Sequence, residues 1–333
     1  MKIGVFLPKG CPLSMQIYFT NVSKILSKNH DVEFVIFNRT QSIPKDVDLY
    51  WDPRSGGGQA PYRKLYSSKI PIVVTVHGLS LFSIPFNIQF SKKSDYLNGI
   101  ARKLRYSSEW AFWKGKIQSL ITVSQYAKEE IVQYLKFDDK QIAPIYHGVD
   151  KEVFYPSIEN NTRKYLLHIS SYQPKKNLDR IIEAYSLIPE ADRIPMKIVA
   201  PGYKRKVNIS HLELVTEKIN HQQAAELYRN ARAFVFPSLH ESFGMPLAEA
   251  MSCGCPIITS NTTACPEIVG EAGILVNPEK VYEINNAMLQ IINDDDLFSL
   301  LQKNAIKRTN SFGWEKSAEE HLKVFKRAIV DYK

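Results

Sequence analysis

Short apolar runs alternate with segments of helical periodicity along most of the chain. Runs at 2–7, 32–37, 71–76 and 119–123 are rich in β-branched and aromatic residues, the pattern of parallel strands buried on both faces. The rhythm restarts at 165–169, 196–200, 233–236, 256–259 and 273–276. Strand and helix in alternation predict a doubly wound α/β sheet, and the restart predicts a second one. Between the two series, Pro156, Ser157, Asn160 and Asn161 give 151–163 the composition of a linker. The boundary is placed at residue 158, with one domain over 1–158 and another over 159–312. Helical periodicity alone remains at 281–292, 296–307 and 314–330, and segment 313–333 is expected to pack back toward the first domain.

Composition narrows the picture. With 333 residues, 44% of them hydrophobic, the chain can bury two cores of ordinary size. No apolar run approaches the roughly 20 residues of a membrane-spanning helix. The run at 3–7 is too short for a secretory signal, so a cytoplasmic location is expected. Cys11, Cys253, Cys255 and Cys265 are too few for a disulfide framework and are expected to be free thiols.

The net charge of +9 is uneven, with seven basic and two acidic residues between Ser91 and Lys116. Around them stand Phe82, Phe86, Phe90, Tyr96, Tyr106, Trp110, Phe112 and Trp113. Cations interleaved with rings suit an anionic bilayer surface, so 82–116 is expected to dock peripherally on the inner face of the cell membrane. The competing reading is a helix-rich insertion packed on its own domain, with a solvated basic face. No nucleic-acid motif is present, and a nucleic-acid partner is not expected.

The stretch carrying most chemistry is FVFPSLHESFGMPLAEAMSC at 234–253, a strand, a polar loop and a proline that opens a helix. Phe243, Gly244 and Met245 then lie just before a helix N-terminus, where backbone amides and the macrodipole favour phosphate. Gly244 permits close approach of a ligand to the backbone. Glu249, one turn into the helix, suits the vicinal hydroxyls of a ribose, and Glu241 those of a sugar.

The two glutamates, separated by seven residues, resemble the signature of the retaining family 4 glycosyltransferases. Further segments of similar sequence are ITVSQYAKEEI (121–131), IYHGVD (145–150), LLHISSYQPKKNLDRIIEAY (166–185) and PEIVGEAGILVNP (266–278). The resemblance covers roughly 117–315. It implies a GT-B fold, two Rossmann-like domains facing a cleft, with acceptor binding assigned to the first and nucleotide-sugar binding to the second. It also implies transfer of a hexose from a nucleotide-diphosphate sugar to a saccharide or lipid-linked saccharide in cell-surface polysaccharide or lipopolysaccharide synthesis. Similarity to bacterial mannosyltransferases favours GDP-mannose over UDP-glucose, UDP-galactose or their N-acetyl forms.

Carried onto this chain, the resemblance makes Lys176 the diphosphate ligand, with Lys175 beside it, and makes His77, Lys176 and Glu241 the catalytic set. Many relatives have an arginine five positions before that lysine, where this chain has Ser171, so one phosphate contact is altered. His77 ends a strand and is expected to meet the donor sugar or a reacting hydroxyl. Gly10, left from a usually richer glycine loop, and Ser124, which caps a helix, are assigned to the acceptor side. Gly56, Gly57 and Gly58 read as a surface loop more than as a lid.

The acidic pairs Asp46/Asp48 and Asp294–Asp296 read as local structural residues, and neither a metal nor another cofactor is expected. Two alternatives stay open: an epimerase or phosphorylase on the same architecture, and a non-catalytic nucleotide-sugar-binding scaffold.

Overall fold

The computed structural model describes residues 1–90, 94–157 and 163–332. Its contacts divide into two units, Met1–Gly148 with Gly313–Lys333, and Val149–Phe312. The division falls after Gly148 rather than at residue 158, which lies outside the described residues. Its cause is local: the backbone at Gly148 is so close to Trp314 that a Cβ would lie 2.4 Å from the ring. The IYHG segment is thereby built into the first unit.

In the first unit six parallel strands, β1 (Lys2–Phe6), β2 (Glu33–Phe37), β3 (Leu49–Ser55), β4 (Ile72–Val76), β5 (Ser119–Thr122) and β6 (Ile142–Pro144), lie in the order β2-β1-β3-β4-β5-β6. Contrary to the expectation of full burial, β2 is an edge strand with Glu33 and Ile36 exposed. At three residues, β6 is too short to stand out by periodicity.

The helices of this unit are α1 (Leu13–Asn29), α2 (Ser80–Ser83), α3 (Phe86–Gln89), α4 (Ser94–Trp113) and α5 (Gln125–Glu130). A π-helical turn, Ile131–Leu135, extends α5 until Lys136 takes a left-handed conformation at φ 58°.

The second unit repeats the plan with β7 (Tyr165–Ile169), β8 (Met196–Val199), β9 (Leu212–Val215), β10 (Ala231–Phe236), β11 (Ile257–Ser260) and β12 (Gly273–Val276). All pair in parallel in the order β12-β11-β10-β7-β8-β9. Around them lie α6 (Leu178–Ser186), α7 (His221–Asn230), α8 (Met245–Ser252), α9 (Cys265–Val269), α10 (Val281–Asn293) and α11 (Asp295–Arg308). The last helix, α12 (Trp314–Val330), belongs to the first unit. Its Ala318, Leu322, Phe325 and Ala328 join Tyr18, Phe19 and Val22 of α1 and Trp51 of β3 in one core.

Strand order reverses between β1 and β3 in one sheet and between β7 and β10 in the other. In open parallel sheets, ligands bind beyond the carboxyl ends of the strands at such points.

Candidate active site

In the second unit the loops that follow β7 and β10 are stitched together. The amide of Leu239 donates to the Lys175 carbonyl at 2.7 Å, and the Ser238 hydroxyl donates to it at 2.9 Å. Pro174–Lys176 forms a 3₁₀ turn, closed by Asn177 in a left-handed conformation. The Asn177 side-chain amide donates to the carbonyls of Pro237 and Pro278, fixing the turn against both neighbouring loops.

Lys176 is thereby aimed at Glu241, with Nζ 2.6 Å from Oε1 and 4.8 Å from the centre of the Phe236 ring. Burial pushes the Glu241 carboxyl up, but the charges of Lys176 and Lys175 and the hydrogen bonds from Lys176 and Ser238 outweigh it and hold it below the usual carboxylate range. Glu241 is an anion and Lys176 its partner.

Three residues on, Gly244 takes φ 87° and caps α8, with Pro246 in the helix's first turn. Met245 is the first residue of the helix rather than a residue before it. The buried Phe243 ring packs edge-on against Phe312 at 5.8 Å. Glu249, in the middle of α8, is pushed up to about 7 by burial alone. A carboxyl in this state gains from any ligand whose hydroxyls donate to it.

Ser171 is exposed beyond the end of β7. Of the cations in the loop after β8, Arg205 pairs with Asp179 at 3.0 Å.

In the first unit His77 follows β4, and its Nε2 lies 2.7 Å from the Pro53 carbonyl. A carbonyl only accepts, so Nε2 carries the proton and Nδ1 is left as the acceptor. Burial lowers the ring's pKa to about 4. The His77 ring stacks on His147 at 5.6 Å and meets Tyr18 edge-on at 4.8 Å. The Tyr18 hydroxyl in turn bonds His321 of α12.

The sequence reading assigned His147 no function and did not single out Tyr18 or His321. One signal was available for His147: it lies in IYHGVD, a segment already noted for its resemblance to the family. His168, by contrast, is a satisfied core histidine between the Val235 carbonyl and the Ser170 hydroxyl.

Gly10, at φ 81° with no atom within 4 Å of where a Cβ would stand, lines a pocket of about 680 Å³ beside Cys11, Met15 and Gly56. Ser124 is fully buried and accepts from the Ala127 amide at 3.0 Å, as a cap. In the triple glycine, Gly57 is exposed, as expected of a surface loop, whereas Gly58 is packed. Gly58 is buried, takes φ 91°, donates to the Gly78 carbonyl and accepts from the Trp110 indole at 2.8 Å. A Cβ there would stand 2.5 Å from the Phe82 ring.

The four cysteines are buried free thiols. The acidic pairs have structural partners: Asp46 and Asp48 bind the side chain and amide of Lys2, Asp294 caps α11, and Asp295 pairs with Arg232 at 2.7 Å.

Segment 82–116 is split in character, and Lys92 and Lys93 fall outside the described residues. Phe82, Trp110 and Trp113 are buried, and Phe86, Phe90 and Tyr106 pack partly against the same core. The rings therefore mostly face inward. Besides Phe112, α4 leaves open an aliphatic stripe, Leu97, Ile100 and Leu104, exposed by 75%, 44% and 67%. Among the described residues no helix is long and apolar enough to cross a membrane.

Known proteins resemble this chain in sequence and in fold. Residues 150–308 match the family described as Glycosyl transferases group 1, and residues 45–153 match Glycosyltransferase Family 4. The O-antigen chain mannosyltransferase B of Escherichia coli is 26% identical over 76% of this chain and 70% of its own length. The serotype-specific mannosyltransferase WbdA of the same organism is 28% identical over 64% of this chain, a match that spans 29% of that longer protein.

Among solved structures, sucrose-phosphate synthase of Thermosynechococcus elongatus superposes with a TM-score of 0.78 at 17% identity, covering 99% of this chain and 100% of the other. HepE of Anabaena, in complex with UDP and glucose, gives 0.70 at 16% identity, covering 98% and 99%. Both sheets and these matches lead to one assignment: the chain is a glycosyltransferase with the GT-B fold, its residues 45–153 matching Glycosyltransferase Family 4 and its residues 150–308 matching Glycosyl transferases group 1.

Proposed function

We propose that the protein transfers a hexose from a nucleotide-diphosphate sugar to a saccharide or lipid-linked saccharide acceptor, without a metal ion and with retention of anomeric configuration. The observation that carries the reading is the Lys176–Glu241 pair at the switch point of the second sheet, close in sequence to the N-terminus of α8. As the anomeric carbon–oxygen bond to the diphosphate breaks, negative charge grows on the leaving oxygens, where Lys176 and the α8 amides would stabilise it. The acceptor hydroxyl bonds to that carbon, and its proton passes to the departing diphosphate. Glu249 would accept the ribose hydroxyls, and Glu241 would hold Lys176 and meet the sugar. His77, neutral with Nδ1 as acceptor, is suited to a reacting hydroxyl.

GDP-mannose is the preferred donor, supported by the mannosyltransferase relatives. The second reading, a UDP-sugar donor, draws on the complex of HepE with UDP and glucose. Surface polysaccharide or lipopolysaccharide synthesis is the proposed setting. Docking on an anionic bilayer on the inner face of the cell membrane is proposed through the open stripe of α4 and its neighbouring cations.

Calorimetry with a panel of GDP- and UDP-sugars in EDTA tests the donor reading, with Glu249→Ala as control. Tight binding of one donor, weakened by that substitution, names the substrate. Absence of binding to all of them overturns the reading, and binding without transfer to any acceptor favours the nucleotide-sugar-binding scaffold. NMR of the product's anomeric configuration tests retention.

A further inference from the structure

We infer that the first unit holds a binding pocket for a phosphate ester on the acceptor, built on Arg54. The inference rests on the transferase reading above and names the chemistry of its acceptor. Arg54 lies in β3, beside the switch point of the first sheet, and lines two adjoining pockets of about 730 and 680 Å³. Five cations line the larger, Arg39, Arg54, Arg63, Lys64 and Arg105, against one carboxylate, Glu109, which pairs with Arg105 at 3.7 Å.

Arg54 is placed with care. It is 5% exposed, its guanidinium lies 4.6 Å from the centre of the Phe6 ring, and its Nη2 is 3.1 Å from the fully buried Asp52. Asp52 is itself fixed by the amides of Tyr62 and Arg54. Yet Arg54 Nε is buried with no hydrogen-bond partner among the described residues.

A buried guanidinium N–H without a partner is an unfavourable state that an oxyanion relieves, and the planar fork of arginine matches phosphate. The exposed Arg39 and Arg63 at the rim add charge. Tyr62, stacked on Phe6, and Phe112, stacked on Tyr66, also line the pocket and give its wall an apolar part for the less polar side of a sugar. A neutral saccharide would leave this cationic lining unmatched. The ligand is therefore a phosphorylated saccharide, its phosphate carried either by a soluble sugar or by a lipid carrier.

The full chain is titrated calorimetrically with glucose, glucose 6-phosphate and inorganic phosphate, and separately with phosphatidylglycerol vesicles. Glucose 6-phosphate is expected to bind at least about tenfold more tightly than glucose, and more weakly as salt rises. The gain should disappear in Arg39→Ser/Arg63→Ser, whose positions are exposed, and in Asp52→Asn/Arg54→Gln, which removes the buried charges together. Nucleotide-sugar binding, measured on the same samples, should persist in both variants, so that failure of this pocket and failure of the donor site are told apart. Equal binding of glucose and glucose 6-phosphate, affinity indifferent to the substitutions, or loss of vesicle binding alone would each overturn the inference.

Discussion

Lys176 Nζ and Glu241 Oε1 stand 2.6 Å apart, on loops that follow two neighbouring strands of one sheet. Both are largely buried, with side-chain exposures of 14% and 9%. The lysine therefore needs the glutamate for more than orientation, since either charge alone would be stranded at low dielectric.

The pair predicts two separable effects. Lys176→Met should slow transfer by about a hundredfold to a thousandfold, through loss of charge opposite the leaving diphosphate. It should also destabilise the fold by about 3–5 kcal/mol, because Glu241 loses its cation. Lys176→Met/Glu241→Gln should recover stability but not rate. Denaturant unfolding and initial rates on the three proteins check this, and a single variant as stable as wild type would contradict it.

Glu249 predicts a conflict between stability and binding. Its folded pKa, about 7, lies above the ordinary carboxylate value, so the stability tied to its protonated form is full below about pH 4.5. That contribution is lost as pH rises to about 7, on the order of 1–3 kcal/mol. Glu249→Gln should therefore raise the melting temperature of the ligand-free protein at pH 8 while weakening the donor. If ribose hydroxyls need the carboxylate, donor affinity in the wild type should fall as pH drops below 7, with proton release on binding. Calorimetry in buffers of different ionisation enthalpy reads that release directly, and a proton-neutral association would rule the contact out.

The buried histidines predict the opposite slope. Burial lowers His77, His168 and His321 to about 4 and lowers His147 as well, with His77 and His321 adding to the effect on His147. Each contributes stability that is present above the unfolded value near 6.5 and lost as pH falls toward 4. A single shift of that size corresponds to on the order of 3 kcal/mol, and the three neighbours around Tyr18 titrate together rather than additively. Unfolding between pH 6.5 and 4 should be visible in tryptophan fluorescence, since Trp51 and Trp314 adjoin the cluster. Retention of full stability at pH 4 would show that these rings accept protons without penalty. Transfer should likewise show no ionisation of His77 near pH 6.5.

Much of this was legible in the sequence because parallel strands buried on both faces announce themselves as apolar runs, as 165–169 and 233–236 do. Lys176 and Glu241 were each singled out through the family resemblance, but their contact was not, because it exists only where the two loops meet. What escaped was what depends on three-dimensional closure. The three-residue β6 and the edge strand β9, with Glu213 at its centre, carry too little periodicity to register. The boundary slipped because Gly148 answers to Trp314, which is far away in sequence. Arg54 and Asp52 carry no motif or periodicity that marks them, and only their burial together in β3 makes an oriented guanidinium. The aromatic content of 82–113 pointed to a surface patch, whereas Trp110 and Trp113 are core residues and the exposed apolar positions of α4, Phe112 apart, are aliphatic.

That last difference sharpens the membrane prediction. Leu97, Ile100 and Leu104 repeat at helical spacing on α4, with Arg105 and Lys103 near them in sequence. An aliphatic side chain taken fully out of water gains about 1.5–3 kcal/mol, and three partly inserted residues with neighbouring cations suffice for reversible docking on anionic lipid. Leu97→Ser/Ile100→Ser/Leu104→Ser should reduce co-flotation with phosphatidylglycerol vesicles at least about tenfold while leaving the melting temperature unchanged, because the replaced side chains are solvent-exposed. Wild-type binding should weaken with salt but not vanish, since the apolar part of the contact is unscreened. Substituting Phe86 or Phe90 should instead lower stability, as expected of rings packed against the core. If the triple variant floats as well as wild type, the stripe does not meet the bilayer and the basic face is solvated.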